Sequence, residues 1–470
     1  MKLHANPIGN QIPAEDYAVK INGQMLDLFK AAGPGKIKDT VSPYAFGSFD
    51  MGEEEAVVEI TSSRDLSKTE ILPEKNALQV VIREKNKLIL KAQKPFMVSI
   101  EPDGRIDMPL LLFGKAPETD KPRKSDPNVI WFDPGEHTPD KIELKSNQTL
   151  YLESGSLVHA VLTASGDNIR VCGRGVLSQE KYPRRHAPLC LDFCHCSNLV
   201  IEGIISKDPC FWNLALRDCR NVKIDNFTLC GGRMINDDAV DICNCRNVSI
   251  RNSFFRAQDD IIAVKGEADL PVPPTSPDFY VKYDTSTVLD PKYYGKERAV
   301  ENIEVHDCMF WNDSANVFRI GYECTAPFFR DLRFHDIEVI HTSGVYRPHT
   351  AFWSNNVFMI QASCAVPMDQ MIFERIDIHL DGQGMLFISL RSEECNIWKK
   401  FGSIRNCLFK DIAVTGKTGL FQGEIFLQRK DESGCIEGIT LQNITFFGKK
   451  LTDENALVYL DGHVKPPQFR

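Results

Sequence analysis

The chain has 470 residues, of which 43% are hydrophobic and 25% are charged, and its formal net charge is −9. This length allows a sizeable core in two domains, because repetitive β folds extend far as single units. Acidic and basic residues are interspersed without a basic block, which argues against nucleic acid or an anionic membrane as a partner. No run approaches the roughly 18 apolar residues of a membrane span.

Cysteine usage bears on the cellular compartment. The fifteen cysteines are spread along the chain without the spacing of a small disulfide framework. The N-terminus as written has no apolar signal region. The sequence therefore predicts a cytoplasmic protein, with secretion after removal of a signal peptide as the alternative, and it leaves the oligomeric state open.

The first 115 residues alternate between apolar and polar positions, as in Ala56–Ile60 and Leu78–Ile82. This period-2 pattern, interrupted by Gly, Pro and charged turns, predicts a small N-terminal β-sandwich. The AAGPGKIK stretch at 31–38 lacks the Ser or Thr that follows Lys in a phosphate-binding loop, so we expect a turn there. Residues 116–127 are rich in proline and charge, and they predict a linker between domains 1–115 and 128–470.

A short motif recurs beyond residue 128: a polar residue, Asn, an apolar residue, any residue and a second apolar residue. Its asparagines are Asn168, Asn198, Asn221, Asn247 and Asn302, at successive spacings of 30, 23, 26 and 55 residues. Short strands at this period predict an all-β domain, a parallel β-helix, whose coils stack about 4.8 Å apart. Cys196, Cys219 and Cys245 each precede a repeat Asn by two residues, and without CxxC pairs they predict a buried ladder rather than metal ligands.

Four carboxylates form two clusters, Asp238 with Asp241 and Asp259 with Asp260, and Asp259 follows Asp238 by 21 residues. That offset suits neighbouring coils, which would place like charges together and raise some of their pKa values. One acid could then protonate a glycosidic oxygen while other carboxylates activate water, at an expected separation of roughly 6.5 to 9.5 Å. The alternative is that each acid is a solvated turn residue. Asp237 should point away from Asp238, so its replacement is expected to be milder.

These residues and their neighbours resemble the polygalacturonases of glycoside hydrolase family 28. The resembling motifs are DPCFW ending in Trp212, NDD at 236–238 with Asp241, and QDD at 258–260 leading to Lys265. The resemblance implies a right-handed parallel β-helix and an inverting hydrolase. It assigns Asp259 as general acid, Asp238 and Asp260 as holders of the attacking water, and Lys265 and Asp241 as supporting residues. An inserted loop from about 267 to 298 would border the cleft.

Two departures from that family concern the substrate. Its Gly-His-Gly turn falls on 315–317, where Asn316 replaces the histidine, and its Arg-x-Lys pair falls on Met359 and Gln361. Without those cations a uronate carboxylate would be poorly paired, so the sequence predicts a neutral substrate. Trp311, the 316–323 stretch and His341 resemble glycoside hydrolase family 49, the dextranases and isopullulanases, which implies an N-terminal β-sandwich and neutral α-glucan substrates.

Other candidate substrate-binding residues have plain structural alternatives. Arg319 and Glu323 could bind sugar hydroxyls or form an ion pair with each other. Trp212 and Trp311 could stack on a sugar or pack in the core. His306, His335 and His341 suit satisfied structural histidines, and His349 is the histidine most suited to the cleft. No metal-ligand spacing and no cofactor motif is present, so none is expected.

The sequence thus favours an inverting glycoside hydrolase that cleaves an α-linked, neutral oligo- or polysaccharide. A carbohydrate-binding β-helix without catalysis stays open, as does a polysaccharide lyase or transferase. Clustered carboxylates favour hydrolysis, since they are costly to keep where function does not use them.

Overall fold

The computed structural model describes residues 1–13, 15–35, 41–75, 78–184, 189–266, 298–324, 326–342, 355–363, 365–382, 385–393, 401–462 and 464–470, apart from the side chain of Glu323. Nearly all regular structure within these ranges is β-strand, with one short 3-10 turn at Pro102–Gly104. None of these residues belongs to a helix that is long and apolar enough to cross a membrane.

The N-terminal part folds into two packed sheets. Its strands are β1 (Lys2–Leu3), β2 (Ala18–Ile21), β3 (Gln24–Leu26), β4 (Phe29–Pro34), β5 (Val41–Asp50), β6 (Ala56–Thr61), β7 (Glu70–Leu72), β8 (Leu78–Arg83), β9 (Lys87–Ala92), β10 (Phe96–Glu101) and β11 (Leu110–Lys115). One sheet has the order β1-β5-β11-β10-β7 with β4 on β5, and the other has the order β3-β2-β6-β9-β8. Buried residues such as Val19, Val58, Leu90 and Leu112 fill the space between them. The expected N-terminal β-sandwich is confirmed.

The turn expected over residues 31–38 is wrong for residues 31–34, which belong to a strand. Strand β4 continues to Pro34 and pairs antiparallel with β5, with Ala31 opposite Tyr44. Gly and Pro are tolerated here because β4 is an edge strand, and the Ala32 N–H donates to Asp208 Oδ1 at 2.7 Å, outside the sandwich. Residues 36–38 lie outside the described ranges.

The remaining strands form one sheet that winds about a single axis. The first are β12 (Val129–Phe132), β13 (Gly135–Leu144), β14 (Thr149–Leu152), β15 (Ser156–Asp167), β16 (Arg170–Gly173), β17 (Val176–Ser178), β18 (Leu191–Glu202), β19 (Ile205–Lys207), β20 (Leu214–Arg217), β21 (Arg220–Asp225), β22 (Thr228–Cys230), β23 (Val240–Cys243), β24 (Arg246–Arg251), β25 (Phe254–Ala257) and β26 (Ile262–Gly266). The others are β27 (Val300–Asn312), β28 (Phe318–Cys324), β29 (Phe329–Thr342), β30 (Asn356–Ala362), β31 (Pro367–Asp381), β32 (Leu386–Ser392), β33 (Ser403–Lys417), β34 (Ile425–Arg429), β35 (Cys435–Phe446), β36 (Lys449–Lys450), β37 (Val458–Asp461) and β38 (Gln468–Phe469).

Each strand of this domain pairs with the equivalent strand of the next coil. In one column β21, β24 and β27 are parallel, so that Val222, Val248 and Ile303 lie in register with their side chains in the core. The 55-residue interval is therefore one coil with an insertion, and the inserted residues 267–297, expected to border the cleft, lie outside the described ranges. The domain is a right-handed parallel β-helix, as the sequence predicts.

The repeat asparagines mark a recurrent turn. Asn168, Asn198, Asn221, Asn247 and Asn302 all have left-handed backbones, with φ between 54° and 57°. Asn tolerates this conformation better than most residues, and each of these side chains donates to the preceding Asn in the stack, for example Asn247 Nδ2 to Asn221 Oδ1 at 2.9 Å. Cys196, Cys219 and Cys245 are buried behind the turns as free thiols, which confirms the predicted ladder.

The β-sandwich packs directly on the β-helix. Phe29, Phe46 and Phe113 of the six-stranded sheet share a buried cluster with Phe254 and Trp311 of the β-helix. That sheet is consequently covered on both faces, which explains why every residue of β11 is buried. The domain limits 1–115, 116–127 and 128–470 stay a prediction. It is supported by the end of β11 at Lys115 and the start of β12 at Val129.

His341 carries a buried charge across this interface. Its Nε2 lies 2.7 Å from Glu101 Oε1 of the sandwich, and its Nδ1 lies 2.7 Å from Asp381 Oδ1 of the β-helix. Burial lowers the pKa of His341, but the two carboxylates outweigh burial and raise the pKa to about 10. The imidazolium therefore links the two domains at neutral pH.

We expect His341→Ala to lower the free energy of unfolding by about 3 to 5 kcal/mol, because it leaves two buried carboxylates without their cation. The folded-state pKa exceeds the ordinary value, so the stabilisation is complete below about pH 6.5 and is lost as pH rises toward 10. Chemical denaturation at several pH values measures both effects. His306→Ala, near the surface, is the control, and equal losses in the two variants would contradict the assignment.

Candidate active site

The predicted acids lie on turns that enter three neighbouring strands. Asp238 precedes β23, Asp259 and Asp260 precede β26, and Asn316 precedes β28. These strands are parallel and in register, with Val240 opposite Ile262 and Ile262 opposite Phe318. The three turns therefore stack at one edge of the β-helix.

This stacking brings three carboxylates together. One oxygen from each of Asp238, Asp259 and Asp260 lies within 4.8 Å of the others, with Asp238 and Asp260 buried and Asp259 partly exposed. The separation is shorter than the expected 6.5 to 9.5 Å. The reason is geometric, because adjacent coils are only about 4.8 Å apart.

Asp259 sits where a carboxyl group can keep its proton. Burial raises its pKa well above the ordinary value, and the nearby charges of Asp238 and Asp260 raise it further. Its oxygens accept backbone N–H bonds from Asn236 and Asp260, both at 3.0 Å, which fix its orientation. A carboxyl group held this way can donate a proton at neutral pH.

Asp238 combines a raised pKa with an unfilled acceptor. Burial raises its pKa to about 6, although Lys265, whose Nζ lies 3.3 Å from Asp238 Oδ2, opposes the shift. Its Oδ1 is buried and has no hydrogen-bond partner among the described residues. Since a buried acceptor without a partner costs about 1 to 3 kcal/mol, this oxygen is well suited to accept a hydrogen bond from water.

Asp260 is held by a chain of amides. Asn316 donates its backbone N–H and its Nδ2 to Asp260 Oδ1, at 3.1 and 2.8 Å. Asn316 Oδ1 in turn accepts the Nδ2 of Asn356 at 3.0 Å. The asparagine at the expected histidine position thus contacts a catalytic candidate directly. Asn356 was not predicted, although it is the first residue of β30 and so lies close to where the acids stand relative to their strands.

Lys265 is fixed at the back of the cluster. Its Nζ lies 2.8 Å from Asp241 Oδ1 and 3.8 Å from the ring centroid of Trp212. Asp241 is fully buried, so we expect it to orient Lys265 rather than touch a sugar. Trp212 is 8% exposed and forms the wall against which the ammonium group rests.

Arg319 lies on the same face of the β-helix as Asp241, one coil beyond Ala263. Its Nη2 donates to Gln361 Oε1 at 2.9 Å, and Gln361 Nε2 donates to Glu393 Oε1 at 2.5 Å. The side chain of Glu323 and the whole of His349 lie outside the described residues, so their predicted roles are not tested.

Trp311 is not a sugar platform. It is fully buried at the domain interface, and its Nε1 donates to Asp313 Oδ1 at 2.8 Å. The packing alternative is therefore correct for this residue, because the sandwich covers the face of the β-helix on which it lies.

Asp237 has a role that the sequence does not reveal. It is not one of the three clustered carboxylates, and it is fully buried and accepts three backbone N–H bonds. The donors are Gly232 at 2.8 Å, Gln258 at 2.6 Å and Asp259 at 3.1 Å. Asp237 thus ties the turn of Asp238 to the turn of Asp259, and a mild effect of its replacement is no longer expected. No local signal exposes this role, since two of the partners lie more than 20 residues away.

The coils that carry this carboxylate cluster are similar to those of known glycoside hydrolases. Residues 160–346 match the family model of Glycosyl hydrolases family 28. Polygalacturonase QRT2 of Arabidopsis thaliana is 25% identical over an alignment of 138 residues, which covers 26% of this chain and 31% of that relative. Over its central coils the chain is similar to polygalacturonases, and it spans about a third of the length of that relative.

The fold is similar to that of a solved structure. Dex49A from Penicillium minioluteum superposes with a TM-score of 0.63 at 13% identity, over 99% of this chain and 96% of that chain. A hyperthermoactive exopolygalacturonase from Thermotoga maritima gives a TM-score of 0.48 at 13% identity, over 73% of this chain and 84% of that chain. At this identity the first likeness concerns the fold alone.

We expect Asp237→Asn to lower the free energy of unfolding by about 1 to 3 kcal/mol, because the amide nitrogen would face a backbone N–H that now donates to a carboxylate oxygen. Thermal unfolding measures the loss. Asp238→Asn is the matched control, since it relieves repulsion between carboxylates and should unfold no more readily than the wild type. A stable Asp237→Asn variant would disprove the bracing role.

Proposed function

We propose that the protein is an inverting glycoside hydrolase that cleaves an α-linked, neutral oligo- or polysaccharide. The observation that carries the proposal is the meeting of three carboxylates from two adjacent coils within 4.8 Å. Such a cluster supplies the acid and the base that glycoside hydrolysis requires.

The residues divide the work according to their surroundings. Asp259, with its raised pKa and partial exposure, protonates the leaving oxygen. Asp238 and Asp260 hold a water molecule and take up its proton, which suits the unfilled Oδ1 of Asp238. Lys265 keeps Asp238 ionised at neutral pH.

Inversion rests on the number of carboxylates rather than on their spacing. Inverting enzymes generally hold their two carboxyl groups at roughly 6.5 to 9.5 Å, to leave room for water. The shorter separation here does not meet that rule. Support comes from the third carboxylate, since Asp238 and Asp260 together can hold a water while Asp259 acts as the acid, and from the resemblance of the motifs to family 28.

The proposed neutrality of the substrate rests on the residues beyond the cluster. Met359 and Gln361 stand where the family 28 cations are expected. Two arginines do lie close to Met359 and Gln361. Arg319 donates to Gln361, and Arg391 Nη1 is 3.9 Å from Glu393 Oε1. Glu393 is 1% exposed and can offset one positive charge, although Lys430 Nζ also lies 2.8 Å from its Oε2. The arginines nevertheless favour a second candidate, a hydrolase of uronate polymers.

We further propose a reducing compartment. Every cysteine in the described part of the chain is a free thiol, and Cys219, whose N–H donates to Cys245 Sγ at 3.3 Å, belongs to a stack that packs as small buried residues. This supports the cytoplasm over an oxidising exterior.

The substrate assignment predicts that the protein releases reducing sugar from a neutral α-glucan and shows negligible activity on polygalacturonate, because Met359 and Gln361 supply no cation at the positions of the family 28 pair. A panel of α-glucans, α-galactosides and pectic fragments measures this. If unesterified polygalacturonate were turned over faster than every neutral glycan, the second candidate, a hydrolase of uronate polymers, would be favoured.

In the same assay Asp259→Asn should lose about 100- to 10,000-fold in kcat, since the proton donor is gone while shape is kept. NMR of the first-formed product reads the stereochemistry. Retained anomeric configuration would remove the inverting mechanism, and normal turnover by Asp259→Asn would remove the acid assignment. Saturable binding without cleavage of any glycan would instead indicate a binding module.

We expect a bell-shaped pH profile of kcat/KM. Rate falls below about pH 6, where Asp238 gains a proton, and falls at high pH as Asp259 loses its own. Lys265→Met removes the cation that lowers the pKa of Asp238, so the acid limb should move to higher pH. Lys265→Arg retains the charge and serves as control. An acid limb that is the same in all three proteins would show that Asp238 is not the base.

A further inference from the structure

The β-sandwich touches the turns that carry the acids. Tyr44 of β5 is 3% exposed, and its hydroxyl donates to the carbonyl oxygen of Gly231 at 3.0 Å. Burial raises the pKa of Tyr44 well above its ordinary value, so the hydroxyl remains a donor at every working pH. Gly231 opens the turn that ends in Asp238.

A short path of hydrogen bonds leads from this contact to Asp259. The next residue, Gly232, donates its N–H to Asp237 Oδ2 at 2.8 Å, and Asp237 Oδ1 accepts the N–H of Asp259 at 3.1 Å. Gly231 also donates its own N–H to the carbonyl of Arg256 at 3.1 Å. Only Gly231, Gly232 and Asp237 separate Tyr44 from the backbone of Asp259.

Arg256 provides a second link between the sandwich and the turn of Asp259. Its guanidinium lies between two rings, 4.3 Å from the centroid of Tyr44 and 3.8 Å from that of Trp311. It donates to both oxygens of Asp313, at 2.9 and 3.1 Å. Arg256 stands three residues before Asp259, and Asp313 stands three residues before Asn316.

The backbones approach so closely here that side chains are excluded. Gly232 has φ +104°, and a Cβ atom on it would lie 2.8 Å from Asp313 Oδ2 and 3.2 Å from Pro34 Cδ of the sandwich. A Cβ atom on Gly33 of the sandwich would lie 3.1 Å from Arg256 Nη2. The sandwich therefore defines one wall of the space in which these turns can move.

We propose that the N-terminal sandwich is part of the active-site scaffold, with Tyr44 and Arg256 as positioning residues that fix the turn of Asp259. The proposal deepens the proposed function and rests on it, since Asp259 matters as the proton donor. Apolar contacts such as Phe46 and Phe113 already attach the domain. The polar contacts differ from them because they end on the turns of the acids.

The test compares two Tyr→Phe variants. Tyr44→Phe removes the bond to Gly231 and keeps the ring on Arg256. Tyr17→Phe is the matched control, since Tyr17 is 2% exposed and donates to the carbonyl of Met108 at 2.8 Å, wholly within the sandwich. Because a misplacement of about 1 Å costs about 100-fold in rate, we expect kcat to fall roughly 10- to 100-fold in Tyr44→Phe with little change in KM. Tyr17→Phe should keep the wild-type kcat.

Hydrogen exchange, read by mass spectrometry on the substrate-free proteins, supplies a readout besides activity. Peptides over 231–239 and 256–261 should exchange faster in Tyr44→Phe than in the wild type. In Tyr17→Phe their exchange rates should equal those of the wild type. Equal exchange in these peptides, or equal loss of kcat in both variants, would overturn the proposal. If the wild type cleaves no glycan, the proposed function fails, and the exchange comparison alone decides whether the sandwich holds the turn.

Discussion

The register between coils is the constraint on which everything else depends. Each coil buries its inward side chains only by stacking on its neighbours, as Val222, Val248 and Ile303 do in one column. The same register sets the turns before β23, β26 and β28 side by side. A slip by one residue would exchange the buried and exposed faces of a strand, and the carboxylates would no longer meet.

The active site holds like charges close together, and the surrounding backbone keeps them from moving apart. Three carboxylates lie within 4.8 Å of one another, and burial together with the nearby negative charges raises the pKa values of Asp238 and Asp259. Lys265 offsets part of the negative charge, and Asn316 binds Asp260. This arrangement persists because backbone N–H groups hold Asp237 and Asp259 in place, which leaves the side chains little freedom to separate.

Buried cations give the interface between the domains its specificity. On the covered face Lys207, Cys230, Arg256 and Trp311 occupy consecutive coils in register. Each cation has its own carboxylates: Lys207 Nζ lies 2.6 Å from Asp208 Oδ2, and Arg256 pairs with Asp313. Those two pairs lie within the β-helix, whereas Arg174, whose Nε is 2.7 Å from Asp50 Oδ1, and His341 pair with carboxylates of the sandwich. Breaking the pairs that cross the interface leaves buried charges uncompensated, so they favour one docking arrangement. That arrangement sets the turns of the active site against a fixed wall.

The sequence by itself determined the fold class, because the Asn repeat and the period-2 alternation are local patterns that each coil or strand must satisfy alone. It also determined that Asp238, Asp259 and Asp260 meet, since a 21-residue offset matches one coil. Only the tertiary structure decided the short separation of the acids, the bracing by Asp237 and the contact of Tyr44 with Gly231, a residue 187 positions away. These depend on how coils and domains pack, and packing over such distances leaves no periodic trace in the chain.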